Sequence, residues 1–249
     1  MNLFIQHHCY TPRSLGSQRY LIAHDGVMSF NNSIGTQMSK TLQNGSMCMV
    51  VDGMSGLKND RLAVELAIQM FQKLYEFSPP TFAPEHLKQF IEQSHQEIRT
   101  SINQRNLPLM GCSLALLWIF EGRVIWLSVG DCRIYHHRGN QLEQITRDQN
   151  VAEFVSRGWM NVEPSEKLAQ GWLFGSKIPN QAQHIFLAEG YDFGAFDMVS
   201  GDQFMIVNHD FDALCSLEHR SSILLAPSFQ PFPFTLAQEE CCVIRISIQ

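Results

Sequence analysis

Residues 112–148 read CSLALLWIFEGRVIWLSVGDCRIYHHRGNQLEQITRD, and this stretch limits the fold more tightly than any other in the chain. Leu114 to Phe120 and Val124 to Val129 are two nearly unbroken apolar runs of strand length. Runs that continuous are buried on both faces. Glu121-Gly122 is all that separates them, and Arg138-Gly139-Asn140 divides the next pair. Connections this short containing glycine are hairpin turns, so neighbouring strands run antiparallel. The chain must therefore build an antiparallel sheet and find something to cover each of its faces.

Further apolar runs at 2–5, 47–51, 183–188, 204–207 and 243–248 read as strands. The covering elements come between them. Val64, Ile68, Phe71 and Tyr75 recur at helical spacing, as do Leu87, Phe90, Ile91, Ser94, Ile98 and Ile102 after Ala83-Pro84-Glu85. Each set gives one apolar stripe on an otherwise polar helix. The class is α+β, with antiparallel sheets and helices packed outside. With 249 residues, 45% of them hydrophobic, the chain can bury a large core, and no Pro/Ser/Gly-rich linker divides it. A single domain over 1–249 is expected. Residues 149–182 carry helix-like fragments broken by Gly158, Pro164, Gly171 and Gly175. They are expected to form a flap over one end of the core or an irregular surface connection.

A formal charge of -6, with basic residues scattered rather than striped, argues against nucleic acid as the main partner. The first residues, MNLFIQHHCY, have neither a basic leader nor a signal-length apolar stretch, and the longest apolar run is too short to span a bilayer. Seven cysteines form no Cys-x-x-Cys pair, and the adjacent Cys241-Cys242 are poorly placed to bridge each other. These features lead to the expectation of a reduced, cytoplasmic monomer away from membranes. His7-His8 and His136-His137 read as partly exposed strand residues. Cys112 and Cys132, in buried strand contexts, have no evident base partner and are not proposed as nucleophiles.

The chemistry concentrates where strands end. In MVVDGMSG, residues 49–56, an apolar strand stops at Asp52-Gly53, where a carboxylate and a carbonyl suit a hard divalent cation. Taken by itself, that motif is better explained as an ordinary strand-ending Asp-Gly turn. Gly130-Asp131 closes another strand, and Glu239-Glu240 precedes the last one. Two His-Asp pairs, His24-Asp25 and His209-Asp210, follow short apolar runs. Several acidic groups at strand ends can converge on one rim of a sheet.

The segments SLGSQRYLIAHD, MVVDGMSG, residues 111–150, GDQFMIVNHDFDALCS and EECCVIRISI, taken in order, resemble the successive motifs of the metal-dependent protein phosphatases (the PPM, or type 2C, family), in its bacterial branch. That resemblance implies an α-β-β-α sandwich of two antiparallel sheets flanked by helices. It implies hydrolysis of phosphoserine and phosphothreonine esters by water activated at two Mn²⁺ or Mg²⁺ ions, with a third, weaker ion in bacterial members. A phosphoprotein partner and a cognate kinase follow from it. It also implies roles for four residues that keep the family's identity. Asp52 corresponds to the carboxylate that bridges the metals, and Gly53 to the residue whose carbonyl binds one of them. Arg19 corresponds to the arginine that grips the substrate phosphate, and Asp131 to the ligand of the third ion.

Other positions depart from the pattern. His24 stands where the family has an aspartate, and Asn208-His209-Asp210 where it has Ser-Asp-Gly. Glu239-Glu240 replaces its closing Asp-Asn, Gly111-Cys112-Ser113 its Gly-Thr-Thr, and Asp148-Gln149 its Asp-His. Three readings stay open. His24 and His209 are ligands, or in the case of His24 a neighbour of the ligands, shifting preference toward Mn²⁺, Fe²⁺ or Zn²⁺. Alternatively, a one-residue bulge brings Asp25 and Asp210 into the ligand positions. In the third, the chain is a catalytically inactive pseudophosphatase that holds no metal and binds a phosphoprotein or a kinase.

Overall fold

The computed structural model describes residues 2–10, 19–24, 27–30, 34–40, 45–53, 60–77, 84–106, 110–149, 191–226 and 241–249. Its elements run β1 (Asn2–Tyr10), β2 (Arg19–His24), β3 (Val27–Phe30), β4 (Ile34–Lys40), β5 (Ser46–Gly53), α1 (Asp60–Phe77), α2 (Pro84–Gln104) and β6 (Cys112–Phe120). They continue with β7 (Arg123–Val129), β8 (Arg133–Arg138), β9 (Gln141–Gln144), β10 (Asp192–Asp197), β11 (Gln203–Val207), α3 (His209–Leu214), α4 (Leu217–Leu225) and β12 (Cys241–Ile248). The expected flap beyond Gln149 and the expected strand at 183–188 lie outside the described residues, as do Asp25, Glu239 and Glu240.

Two six-stranded sheets form, in the orders β4-β1-β12-β11-β8-β9 and β10-β7-β6-β5-β2-β3, and every pairing is antiparallel. Strand alternation then sorts the side chains into three layers. Along β5, Cys48 and Val50 face the other sheet and join Leu117, Ile134, Ile206 and Ile244 between the two. Met47, Met49 and Val51 face outward and pack with Val64, Phe71 and Leu87 of α1 and α2. On the other side, Tyr135, Met205, Val207 and Val243 pack with Phe211 and Leu224 from α3 and α4. The expected α-β-β-α sandwich is what forms, because the central strands of each sheet carry apolar residues on both faces.

The two hairpins form as the turn residues require. Glu121 and Gly122 adopt φ of 47° and 78°, and Gly139 of 62°. At the far end of β5, Gly45 has φ 68°, its carbonyl accepts a hydrogen bond from Tyr75 at 3.1 Å, and a Cβ there would lie 2.2 Å from the Ile119 carbonyl oxygen. Strands β3, β4 and β10 had no apolar signal. All three are edge strands, which need not be apolar on both faces.

Two expectations are corrected. His7, His136 and His137 are buried rather than partly exposed. His136 stacks on Phe204 at 4.7 Å, and its Nε2 lies 3.2 Å from Asp202, whose carboxylate also takes both arms of the Arg138 guanidinium at 2.6 and 2.7 Å. The ion network at this pole of the sandwich compensates the charge it buries. The fully reduced reading is also corrected: Cys242 is disulfide-bonded, while its neighbour Cys241 is outside any disulfide. The β1–β12 register sets Cys9 opposite Cys242, a pairing of distant segments that linear spacing does not reveal. No described helix is long and apolar enough to cross a membrane.

Candidate active site

Asp52 stands at the end of β5, opposite Ser113 at the start of β6, with Gly53 opposite Cys112. One sheet thus delivers the carboxylate to its rim. The other sheet reaches it through Asn208, the residue that follows β11. Asn208 is fully buried, and its amide Nδ2 donates to Asp52 Oδ2 at 3.3 Å. Its Oδ1 accepts from the Cys242 backbone N–H at 2.9 Å, and its own N–H donates to the Cys242 carbonyl at 3.3 Å. One amide therefore ties the ends of β5, β11 and β12 together, with its donor end aimed at a carboxylate.

The next residue continues the contact. His209 opens α3, and its Nδ1 lies 3.7 Å from Asp131 Oδ2. Asn208 and His209 thereby straddle Asp52 and Asp131. The turn that carries Asp131 is held by Gln149, also fully buried. Its Oε1 accepts from Gly130 N at 2.9 Å, its Nε2 donates to the Ser128 carbonyl at 3.2 Å, and its backbone N–H donates to the Gly130 carbonyl at 2.9 Å. Asp148 pairs with Arg133, whose Nε donates to it at 2.7 Å. The Asp148-Gln149 departure from the family pattern thus acts as a latch on the Gly130-Asp131 turn.

Two thiols line the inner wall. Burial, and after it the charge of Asp52, pushes Cys112 and Cys132 above the ordinary thiol range, with Asp131 adding to the effect on Cys132. Ser113 Oγ lies 3.2 Å from Cys132 Sγ. Neither thiol is set up as a nucleophile, as expected.

The register places the remaining candidates unequally. Arg19 pairs with Val51, next to Asp52, so its strand position is at the rim. His24 occupies the opposite end of β2. It pairs with Ser46, six residues before Asp52 along β5, about 20 Å away at about 3.3 Å per residue. An antiparallel strand carries Arg19 and His24 to opposite ends of β5, which spacing in the sequence does not show. No bulge interrupts β11, which pairs continuously through Val207 with both neighbours, and Asp210 follows in the first turn of α3. Among the described residues no three His, Cys, Asp or Glu side chains form a group that could hold a metal ion. The donor set fits an ion in part: a carboxylate oriented by a buried amide is the usual support of a ligand.

Sequence reasoning missed Asn208 and Gln149. Both are amides at positions where the family pattern led to a search for charged ligands.

No protein-family model matches the chain. It is 26% identical over 169 residues to the protein phosphatase PhpP of Streptococcus pneumoniae, a match covering 66% of each chain. To the serine/threonine phosphatase stp of Listeria monocytogenes it is 24% identical over 137 residues, covering 53% of this chain and 54% of that one. The matches thus span 66% and about half of the length of these relatives. Solved structures cover the chain more fully. The serine/threonine phosphatase PstP/Ppp of Mycobacterium tuberculosis superposes with a TM-score of 0.69 at 16% identity over 100% of both chains. Stp1 of Staphylococcus aureus gives 0.70 at 14% over 98% of this chain and 94% of that one. The PstP catalytic domain in complex with two manganese ions gives 0.66 at 16% over 99% of both. The chain has the fold of the metal-dependent protein phosphatases. Its sequence relatives are bacterial proteins named protein phosphatase and serine/threonine phosphatase, and the resemblance to that branch of the family is borne out.

Proposed function

We propose that this chain is a metal-dependent phosphatase of phosphoserine and phosphothreonine in proteins, with a metal site altered from the family's pattern. The observation that carries the reading is Asp52, kept at the rim where both sheets end and oriented by the buried amide of Asn208. Hydrogen-bonded neighbours of this kind fix a ligand's direction and strengthen it. In this reading Asp52 and the Gly53 carbonyl hold the ions, with Glu239 completing the set and Asp131 beside His209 serving a weaker additional one. Mn²⁺ or Mg²⁺, two or three ions in number, would supply water activation at neutral pH and neutralise charge on the phosphoryl oxygens. An imidazole beside Asp131 favours Mn²⁺ or another transition metal over Mg²⁺.

The protein's own part is positioning. Arg19, at the register position beside Val51, offers the permanently charged fork that suits a phosphate dianion. Gln149 fixes the turn that presents Asp131, and Asn208 orients Asp52. The substrate is a phosphoprotein, the product of a cognate kinase. The phosphatase names of the sequence relatives support this choice.

A second reading, a pseudophosphatase that binds a phosphoprotein or kinase without turnover, is favoured by one observation: the register sets His24 opposite Ser46, about 20 Å along β5 from Asp52. Hydrolysis of an aryl phosphate with added Mn²⁺, in the wild type and in Asp52→Asn, separates the two. Mn²⁺-dependent turnover lost in the variant supports the enzyme. Its absence from both proteins supports the binding module.

A further inference from the structure

The outer face of the first sheet carries a second polar cluster, unrelated to the rim. Alternation places His137, Gln203 and Arg245 on the same face as Tyr135, Met205 and Val243, whose cluster includes Leu224 of α4. Arg245 pairs with Gln6 on one side and Met205 on the other, and the next outward residue of β12, Ser247, stands opposite Gln203. Gln203 in turn stands opposite His137. Arg245 is 6% exposed and His137 9%. Nevertheless Nε and Nη1 of Arg245, Oε1 of Gln203 and Nδ1 of His137 are buried without a hydrogen-bond partner.

Four such atoms on neighbouring ladder positions are unusual, because buried polar groups are almost always paired. The case of Arg245 is the sharpest. A guanidinium does not shed its proton, so it cannot escape burial by becoming neutral. Burial pushes it below the ordinary arginine value, and among the described residues no carboxylate offsets the effect. Elsewhere in the same sheet charge is matched: Arg138 grips the buried Asp202, and the partly buried Arg133 grips Asp148. A buried cation with no counter-charge weakens the fold unless one arrives from outside.

We propose that this patch binds an oxyanion, a phosphate or carboxylate group seated on Arg245 with Gln203 and His137 at its flank. The planar guanidinium suits either group through two parallel hydrogen bonds. A side-chain amide can turn end for end, and an imidazole can change tautomer, so both flanking residues can donate to the same anion. Arg245 lies three residues beyond Cys242, about 10 Å along β12, on the face turned away from the inter-sheet core. The site is therefore separate from the phosphatase rim and does not depend on catalysis.

The test titrates inorganic phosphate and acetate, separately, into the full chain in EDTA, following thermal stability and heat of binding. Wild type and Asp52→Asn should show the same saturable response. Arg245→Met should bind about tenfold more weakly or worse, the loss expected when hydrogen bonds from a charged group are removed. Gln203→Leu should show an intermediate loss. A response to phosphate alone assigns a phosphate-bearing ligand, and a response to both anions a carboxylate-accepting one. Equal responses in wild type and Arg245→Met, or no saturable response in the wild type, would overturn the proposal. A response abolished by Asp52→Asn would assign the anion to the rim and overturn it too. Should Arg245→Met not fold, an unchanged response in Gln203→Leu has the same force.

Discussion

Asn208→Asp is the sharpest probe of the rim. The change is nearly isosteric and keeps an oxygen for the Cys242 N–H, which Asn208 Oδ1 accepts at 2.9 Å. What it removes is the amide donor that faces Asp52 Oδ2 at 3.3 Å, replacing it with a second carboxylate oxygen. Two unit charges at that distance repel by about 5 kcal/mol at an effective dielectric constant of about 20, and by about 1 kcal/mol in bulk water. The lost hydrogen bond to a charged group adds about 1.5–3 kcal/mol. The pair limits the penalty by taking up a proton, so the expected loss of unfolding free energy at pH 7.5 is about 3 kcal/mol.

The sign with pH follows from that proton. A carboxyl that is harder to ionise in the folded state than in the unfolded chain binds more protons when folded. Its penalty is therefore absent below about pH 4, where both states are protonated, and grows as pH rises. Urea unfolding of wild type and variant, compared at pH 7.5 and near pH 4, reads the difference directly. Added Mn²⁺ should recover much of the loss at pH 7.5, since a cation between two carboxylates removes their repulsion. A variant within about 0.5 kcal/mol of wild type at both pH values would refute the Asn208 to Asp52 contact and the rim built on it.

Three further expectations concern other parts of the molecule. In a thermal-shift titration, Asp52→Asn should lose the Mn²⁺-induced stabilisation, and hydrolysis of an aryl phosphate should fall about a hundredfold or more; His24→Ala should leave the Mn²⁺ shift unchanged, and a shift lost in that variant would contradict the β2–β5 register. Burial alone would raise the Asp202 carboxyl, but hydrogen bonds from Arg138, the Val199 N–H and His136 outweigh it and hold the carboxyl below the usual range. That contribution is present above about pH 4 and fades as pH falls through the folded value; Asp202→Ala should cost about 1–3 kcal/mol at neutral pH by leaving the buried His136 and the Val199 N–H without their acceptor, while the exposed Arg138 turns to water, and should flatten the acid limb of the stability curve. Gly45→Ala should lower stability by at least about 2 kcal/mol in denaturant unfolding, since the added Cβ meets the Ile119 carbonyl and the left-handed φ penalises any side chain.

Sequence alone determined the layers of this protein. Unbroken apolar runs and period-3.6 apolar stripes are local properties, and they marked the central strands β5, β6, β7 and β11, the helices α1 and α2, and through them the α+β class; the sandwich was implied by the family resemblance. The edge strands β3, β4 and β10 were invisible for the same reason, because an edge exposes one side and its residues need not be apolar. At the rim, Asp52 and Asp131 were legible as carboxylates after apolar strands, and their roles as what the family resemblance implies. Tertiary structure decided how those residues meet. The antiparallel register puts Arg19 beside Asp52 and His24 about 20 Å from it, although only four residues separate the two in the chain. It brings Cys9 opposite Cys242 and sets Asn208 between Asp52 and Cys242, from segments more than thirty positions apart. A buried amide carries no charge and no periodicity, so its role exists only once the two sheets have closed and its donor and acceptor have found their partners.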